Sequence, residues 1–336
     1  MNSLNFKPYF FFVLAALLCA GGVFLSFSLG QASVPPGEIF NFILFKQASD
    51  PRYHVILKMR LVRTAAAFIT GAGLAFSGVV YQSSLKNYLA DPFMLGISAG
   101  AALFSALAIT LKFQSSFMIS AFAFCGAIFA VTAVMAVSIV KKFSSYNLIL
   151  TGIALNSFFS SFLTIVMYLS KDMQNIFFWL MGSLDVKFAG QIFYTYIFVI
   201  AAAAYILRYS YILDLLKLNE KTIFSIGIDQ NYYKIKFLII ASLISALIVS
   251  QTGIIGFIGL IVPHAARLII GDLHRLLLPF SFLLGGTMLI YCDLISRTAA
   301  DSINFPIGII TSLVGAPFFI ALLAGRRNAK GAGSNG

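Results

Sequence analysis

The side chains able to do chemistry are few in this sequence, and they fall into small groups with regular spacing. Arg60 and Arg63 stand three apart in KMRLVRT, and Asp293, Arg297 and Asp301 stand four apart. Residues three or four apart share one face of a helix, so the pair presents two guanidinium groups together and the trio stacks opposite charges in a ladder. Two chemistries fit. One is a ladder neutralised within the fold; the other is a rim of Arg60, Arg63 and Arg297 that receives carboxylates from a protein partner. A third group is Pro263, His264 and Arg267 in GFIGLIVPHAARLIIGD, residues 256–272. No second His or Cys stands at ligand spacing from His264, so a hydrogen-bonded structural histidine is expected and not a metal ligand. Arg267 can reach Asp272 or a lipid phosphate.

Other reactive patterns are missing. The sequence has no GxxxxGK[ST] phosphate loop, no HExxH, no CxxC and no GxSxG, so no catalytic residue and no nucleotide hydrolysis are expected of this chain. Cys19, Cys125 and Cys292 are isolated in apolar stretches, which suggests neither a disulfide framework nor a metal site.

The elements that position these groups are written in the composition. Of 336 residues, 60% are hydrophobic and 10% charged, and the mean hydropathy is +0.94. Those values belong to an integral membrane protein. A span needs about 20 apolar residues, and such runs lie at 8–37, 64–85, 92–111, 113–140, 143–170, 188–207, 237–266, 276–292 and 302–325. The run at 237–266 is too long for one helix, and glycines 253, 256 and 259 weaken its end. Splitting it into helices near 233–251 and 257–270 gives ten membrane helices in one transmembrane domain, residues 1–336. The first run has an apolar core of roughly 22 residues, beyond the about 7 to 15 of a secretory signal, so a retained first helix is expected.

An even number of spans puts both termini on one side. The majority of the 23 Lys and Arg then fall on that side, which makes it the cytoplasmic one. The net charge of +12 sits in short loops and reads as anchorage to anionic lipid, not as nucleic-acid binding. Asp, Glu, Lys and Arg are missing from most of the apolar runs, so a proton relay is hard to build. A path lined by Ser, Thr, Asn, Gln, backbone and aromatic groups suits a large, partly apolar solute. Gly71, Gly78, Gly96 and Gly100 recur at spacings that let helix backbones approach closely. In residues 208–236, apolar side chains are interleaved with charges, which predicts one or two short amphipathic helices at the membrane surface.

Several long stretches, in order, resemble the FecCD-type permeases of ATP-binding-cassette (ABC) importers for iron-siderophores, haem and cobalamin. They are MRLVRTAAAFITGAGLAFSGVVYQSSLKNYLADPFMLGISAGA (59–101), LILTGIALN (148–156), FWLMGSL (178–184), TGIIGFIGLIVPHAARLIIGDLHRLLLP (252–279) and LPFSFLLGGTMLIYCDLISRTAADSINFPIGIITSLVGAPFFIALL (278–323). The resemblance implies an all-α membrane protein with the type II ABC importer permease fold, in the bacterial cytoplasmic (inner) membrane. Its implied partners are a second copy of itself, two ATPase subunits that carry ATP and Mg, and a periplasmic or lipid-anchored solute-binding protein; no cofactor is bound by this chain.

By the same resemblance, Arg60, Arg63 and Arg297 dock the binding protein, and Asn87 and Leu89 with Ser145 and Tyr146 form the cytoplasmic gate. Leu218, Glu220, Ile223 and Gly227, within segment 213–230, couple to the ATPase, and Pro263, His264 and Arg267 lie on a short eighth helix. The sequence departs from the family pattern at Asn219, Ile223 and Tyr88, which stand in place of a Gly, a small residue and a Pro. An iron-siderophore-type chelate is the expected cargo, with haem or cobalamin as the alternative. A secondary transporter driven by an ion gradient would differ by needing no ATPase, and a lipid-modifying enzyme by needing paired catalytic groups at one depth.

Overall fold

The computed structural model describes residues 6–30, 32, 34–45, 50–140, 144–184, 189–299 and 305–331. Among the described residues the chain forms fourteen α-helices and one 3-10 turn, with no strand. Six helices are long and apolar enough to cross a membrane, and Ile97–Thr110, Phe193–Arg208, Ile258–Ile270 and Ile307–Ala321 are shorter apolar helices. Together they are ten apolar helices at the positions of the ten expected spans, six of them long enough to cross.

The first apolar run is divided, with α1 at Phe6–Ser28 and α2 at Pro36–Phe45. Gly30 at φ +153° and a proline pair, Pro35 and Pro36, break it, and Pro36 has the preset φ suited to a first helical position. Next comes α3, Pro51–Ser84, which begins well before the expected 64. Pro51 starts it, and Asp50 accepts a hydrogen bond from the Arg52 backbone N–H at 2.7 Å, the usual N-cap arrangement. Arg60 and Arg63 therefore lie inside a helix and not at its mouth. At 34 residues and 1.5 Å per residue, α3 is about 50 Å long. Most of its length is buried, because α1, α11 (Gln230–Thr252), α12 (Ile258–Ile270) and α13 (His274–Thr298) pack around it.

That central packing depends on small residues. A Cβ placed on Gly71 would lie 2.2 Å from the Gly285 carbonyl oxygen, and one on Gly285 would lie 2.5 Å from that of Gly71. Gly78 meets α12 in the same way, its Cβ position 1.9 Å from the Gly259 oxygen. Pro263 has no N–H to give to Gly259, four residues earlier. The carbonyl left without its helical partner is therefore the one that lies against the bare Cα of Gly78, while the next one, Leu260, accepts from Gln82 Nε2 at 3.2 Å. The Pro-His helix is compensated by α3.

The remaining helices are α4 (Ile97–Thr110), α5 (Ser116–Val140), α6 (Ser145–Leu169), α7 (Met173–Leu180), α8 (Ala189–Arg208), α9 (Ser210–Leu215), α10 (Glu220–Ser225) and α14 (Ile307–Gly331). The two short helices in 208–236 match the surface helices expected there, whereas α7 was not foreseen. The bend after α11 is present too, with Gly253 at φ +71° and Phe257 at φ +68°. In the apolar run at 92–111, Pro92–Leu95 forms the 3-10 turn and Gly96 at φ +84° separates it from α4.

Candidate transport site

Two polar groupings lie on α3, one in its first half and one at its C-terminal end. In the first, Asp293, 1% exposed, is the hub. Its Oδ1 lies 2.9 Å from Arg63 Nε and its Oδ2 lies 3.0 Å from Arg297 Nε. Arg297 also donates to Ser26 Oγ at 2.7 Å, and Ser26 shares a 2.6 Å hydrogen bond with Thr64. Arg60 donates to the carbonyl of Phe27 at 2.5 Å and also to that of Ala32. The three arginines are thus brought together and turned inward, where they tie α1 and the chain after it to α3 and α13. Arg60 and Arg297 are buried, and Arg63 retains 19% exposure. Asp301, the third rung of the sequence ladder, lies outside the described residues.

At the C-terminal end, α3 closes on Leu85 and turns through Lys86 at φ +51°. Lys86 N–H donates to Ser83 O and Asn87 N–H to Gln82 O, the paired bonds of a Schellman cap with lysine where glycine is usual. Asn87 then accepts from Leu89 N–H at 2.9 Å, which fixes the turn that leaves Tyr88 and Leu89 exposed. Ser145 and Tyr146 open α6, which packs on the 3-10 turn of the same connection, and Tyr146 is exposed. Leu218 and Gly227 flank α10, and Ile223 within it is buried. Glu220 is the first residue of α10, and its side chain is outside the described set.

Of the network that binds these parts, sequence reasoning foresaw only the Arg267–Asp272 pair. Lys86 Nζ donates to Leu218 O at 2.8 Å. The Arg267 guanidinium lies 4.5 Å from the centre of the Tyr88 ring, donates to Gln82 Oε1 at 2.9 Å and pairs with Asp272 at 2.6 Å. Lys217 pairs with Asp272 at 3.1 Å and with Asp214 at 3.2 Å, and Asp214 meets His274 Nδ1 at 2.6 Å. His274 Nε2 returns to Ser83 Oγ on α3 at 2.5 Å. The signal available in the sequence was the pair of acidic residues, Asp214 and Asp272, near basic ones; nothing local showed that Lys217 would meet Asp272, 55 positions on, or that Asp214 would meet His274, 60 positions on. His264 is buried in α12.

Burial alone would push the carboxyls of Asp214 and Asp272 up, but hydrogen bonds and charge from His274 and Lys217 at Asp214, and from Arg267 and Lys217 at Asp272, outweigh it. Both are held below the ordinary carboxylate value and stay charged at neutral pH. Asp91 behaves in the opposite way. Burial pushes it up to about 6, against the lowering effect of the Phe93 N–H that it caps. A carboxyl raised on folding stabilises most when protonated, and that contribution is lost as pH climbs from about 4 to about 6. Asp91→Asn keeps the capping oxygen and removes the charge, so at pH 7.5 it is expected to stabilise by about 1 to 3 kcal/mol, with the gain gone near pH 4. Thermal unfolding of both proteins in detergent across that range reads it; a gain independent of pH would refute the assignment.

Between the two groupings lies a cavity of about 790 Å³ within a single copy, walled by Thr70, Trp179, Tyr196 and Gln251 among others. A different surface is left open: only 11% of the α6 span is buried. It presents Ser157, Ser160, Ser161 and Thr164 beside Phe158, Phe162 and Tyr168. The hydroxyls of Ser157, Ser161 and Thr164 turn back onto carbonyls one helical turn earlier, so the exposed helix carries polar groups without unmet backbone partners.

Sequence and structure comparisons agree with this architecture. The FecCD transport family profile matches residues 17–325. An iron chelatin transport system permease protein of Helicobacter pylori is 38% identical over 289 residues, 85% of this chain and 87% of its own. A cobalamin import system permease protein of Halobacterium salinarum is 36% identical over 280 residues, 81% of this chain and 74% of its own. Among solved structures, an inward-facing conformation of a metal-chelate type ABC transporter superposes with a TM-score of 0.82 at 30% identity, covering 95% of this chain and 99% of that one. With the helical bundle, its glycine-packed central helix and the match along nearly its whole length, this chain belongs to the FecCD transport family and is a membrane-embedded permease subunit of an ABC importer with the type II fold.

Proposed function

We propose that the chain imports a metal chelate of the iron-siderophore type as a homodimer, served by two ATPase subunits that carry ATP and Mg and by a solute-binding protein. The observation that carries this reading is the open face of α6. A helix so little buried in one copy, with hydroxyls and aromatic rings side by side, fits a wall shared with a second copy and a path for a bulky, partly apolar solute. The likeness to a metal-chelate transporter supports the cargo class. In this reading the end with Asn87, Leu89, Ser145 and Tyr146 is the cytoplasmic gate, both termini are cytoplasmic, and Leu218, Glu220, Ile223 and Gly227 take up motion from the ATPase. ATP binding and hydrolysis there rock the helices between outward- and inward-open states.

The test is uptake into liposomes by the purified chain with its ATPase and binding protein, offering ferric siderophore, haem and cobalamin side by side. ATP-dependent uptake of the siderophore that vanishes when either partner is omitted supports the proposal. Uptake of haem or cobalamin alone would replace the cargo, the latter in keeping with the Halobacterium relative. Uptake without any ATPase would move the mechanism to ion coupling.

Docking of the binding protein falls to Arg63, Arg297 and Arg60 in the other grouping. Because Asp293 already holds two of them, carboxylates on the partner would compete with it, and Arg63 is the accessible entry point. Arg63→Gln is expected to weaken binding-protein affinity about tenfold, the size of one charge-assisted hydrogen bond. An affinity unchanged in surface-binding measurements, with the permease still monodisperse, would remove Arg63 from that surface.

A further inference from the structure

The ion pairs around Asp272 form a continuous path between two parts that the importer reading assigns to different tasks. On one side Arg267 Nε lies 2.6 Å from Asp272 Oδ1, and its guanidinium lies 4.5 Å from the centre of the Tyr88 ring in the gate connection. On the other, Lys217 Nζ lies 3.1 Å from Asp272 Oδ2 and also bonds the Asp272 carbonyl. Lys217 belongs to segment 213–230, and through Asp214 it reaches His274 at the start of α13. Each carboxylate oxygen of Asp272 therefore serves a different partner. We propose that Asp272 is a positioning residue, the joint through which displacement of segment 213–230 reaches Tyr88 and the gate turn.

The backbone around Asp272 suits that role. Three residues, 271–273, separate α12 from α13, and Gly271 at φ +86° makes the sharp exit while its N–H bonds Arg267 O at 3.0 Å. The three-residue connection is anchored at both ends by helices that pack on α3. Segment 213–230 is built differently. Its helices α9 and α10 have six residues each, too short to be stable alone, and Lys217 lies in the turn between them. Leu213, Leu216 and Ile223 are buried while Leu218, Phe224 and Ile226 are exposed, so the segment grips the bundle by a few apolar side chains and by these charges. When it moves, the Lys217 ammonium moves relative to a carboxylate carried on the connection between α12 and α13. The freed carboxylate changes the charge balance on Arg267, whose guanidinium stacks on the Tyr88 ring. Lys86, bonded to Leu218 O at 2.8 Å, supplies a second, direct link of the same sense.

This inference rests on the importer reading, so the test contains a control for it. The assembled complex in liposomes is compared for the parent, Asp272→Asn and Asp272→Glu, reading solute taken up per ATP hydrolysed. Asp272→Asn is expected to keep the ATPase rate within roughly twofold and to lower uptake per ATP by about tenfold, within the span of ordinary coupling between sites; Asp272→Glu is expected to restore most of it. A second readout uses Leu89→Cys with Cys19, Cys125 and Cys292 replaced by Ala. A nucleotide-dependent change in thiol labelling rate, about fivefold in the parent, is expected to disappear with Asp272→Asn. Retention of both coupling and the labelling change in Asp272→Asn overturns the joint. So does a parallel fall of hydrolysis and uptake, which marks a brace for assembly, and so does a failure of Glu to rescue. A parent with no ATP-dependent uptake overturns the importer reading itself, and the joint with it.

Discussion

Asp293→Ala should leave Arg63 and Arg297 inside the bundle without their shared carboxylate, at an expected cost of about 3 to 5 kcal/mol, the range for removing one partner of a buried ion pair. The Asp293 side chain is 1% exposed and Arg297 is 9% exposed, so water is poorly placed to replace the missing charge at Arg297. The effect should spread beyond the pair. Ser26, which receives a hydrogen bond from Arg297, and Thr64, bonded to Ser26, join α1 to α3. Detergent-purified Asp293→Ala is therefore expected to show a sharply reduced Tm and a poor monodisperse fraction. Adding Arg297→Met, which removes the stranded cation, should recover part of the loss. A single variant as stable as the parent would mean that the guanidinium groups are satisfied by other partners and that Asp293 is no hub.

The second large effect is expected at Gly78. Any side chain there places a Cβ 1.9 Å from the Gly259 carbonyl oxygen and 2.7 Å from its carbon, and both are backbone atoms that cannot rotate away. Helices α3 and α12 would have to separate, at a cost of about 3 kcal/mol or more for Gly78→Ala, the upper part of the overpacking range, and still more for Gly78→Val. Gly37→Ala is the comparison: it lies in α2 with nothing within 4 Å of its Cβ position, and helix propensity predicts a gain of up to about 1 kcal/mol. Thermal unfolding of the two alanine variants should separate them widely, and similar Tm values would refute the close approach.

The same two sites show how far the sequence could be read. Hydropathy located the spans because lipid exposure demands long apolar runs, and the bend at Gly253 to Phe257 was visible because glycines punctuate a run too long for one helix. The start of α3 was placed late, since Lys58, Arg60 and Arg63 look like the polar edge of a membrane segment; the Asp50 cap and Pro51 override that pattern. Spacing put Arg60 and Arg63 near one another but could not show that Asp293, 230 residues away, would turn Arg63 inward. Likewise His264 drew attention by its position beside Pro263, whereas His274 proved to bridge Asp214 and Ser83. Such partners are set by which helices become neighbours, and one-dimensional periodicity carries no record of that.

The contrast between α3 and α6 has a consequence for how such a protein diversifies. On α3, 89% of the spanning window is buried against 11% on α6, so nearly every substitution on the former disturbs packing, while surface positions away from such packing usually change stability by no more than about 0.5 kcal/mol. Side chains along α6 are thus open to exchange at little cost to the single copy. With α6 as the proposed wall of the path, selection for a new cargo would rewrite that helix residue by residue while the bundle behind it stays fixed, so that one architecture serves solutes of very different shape.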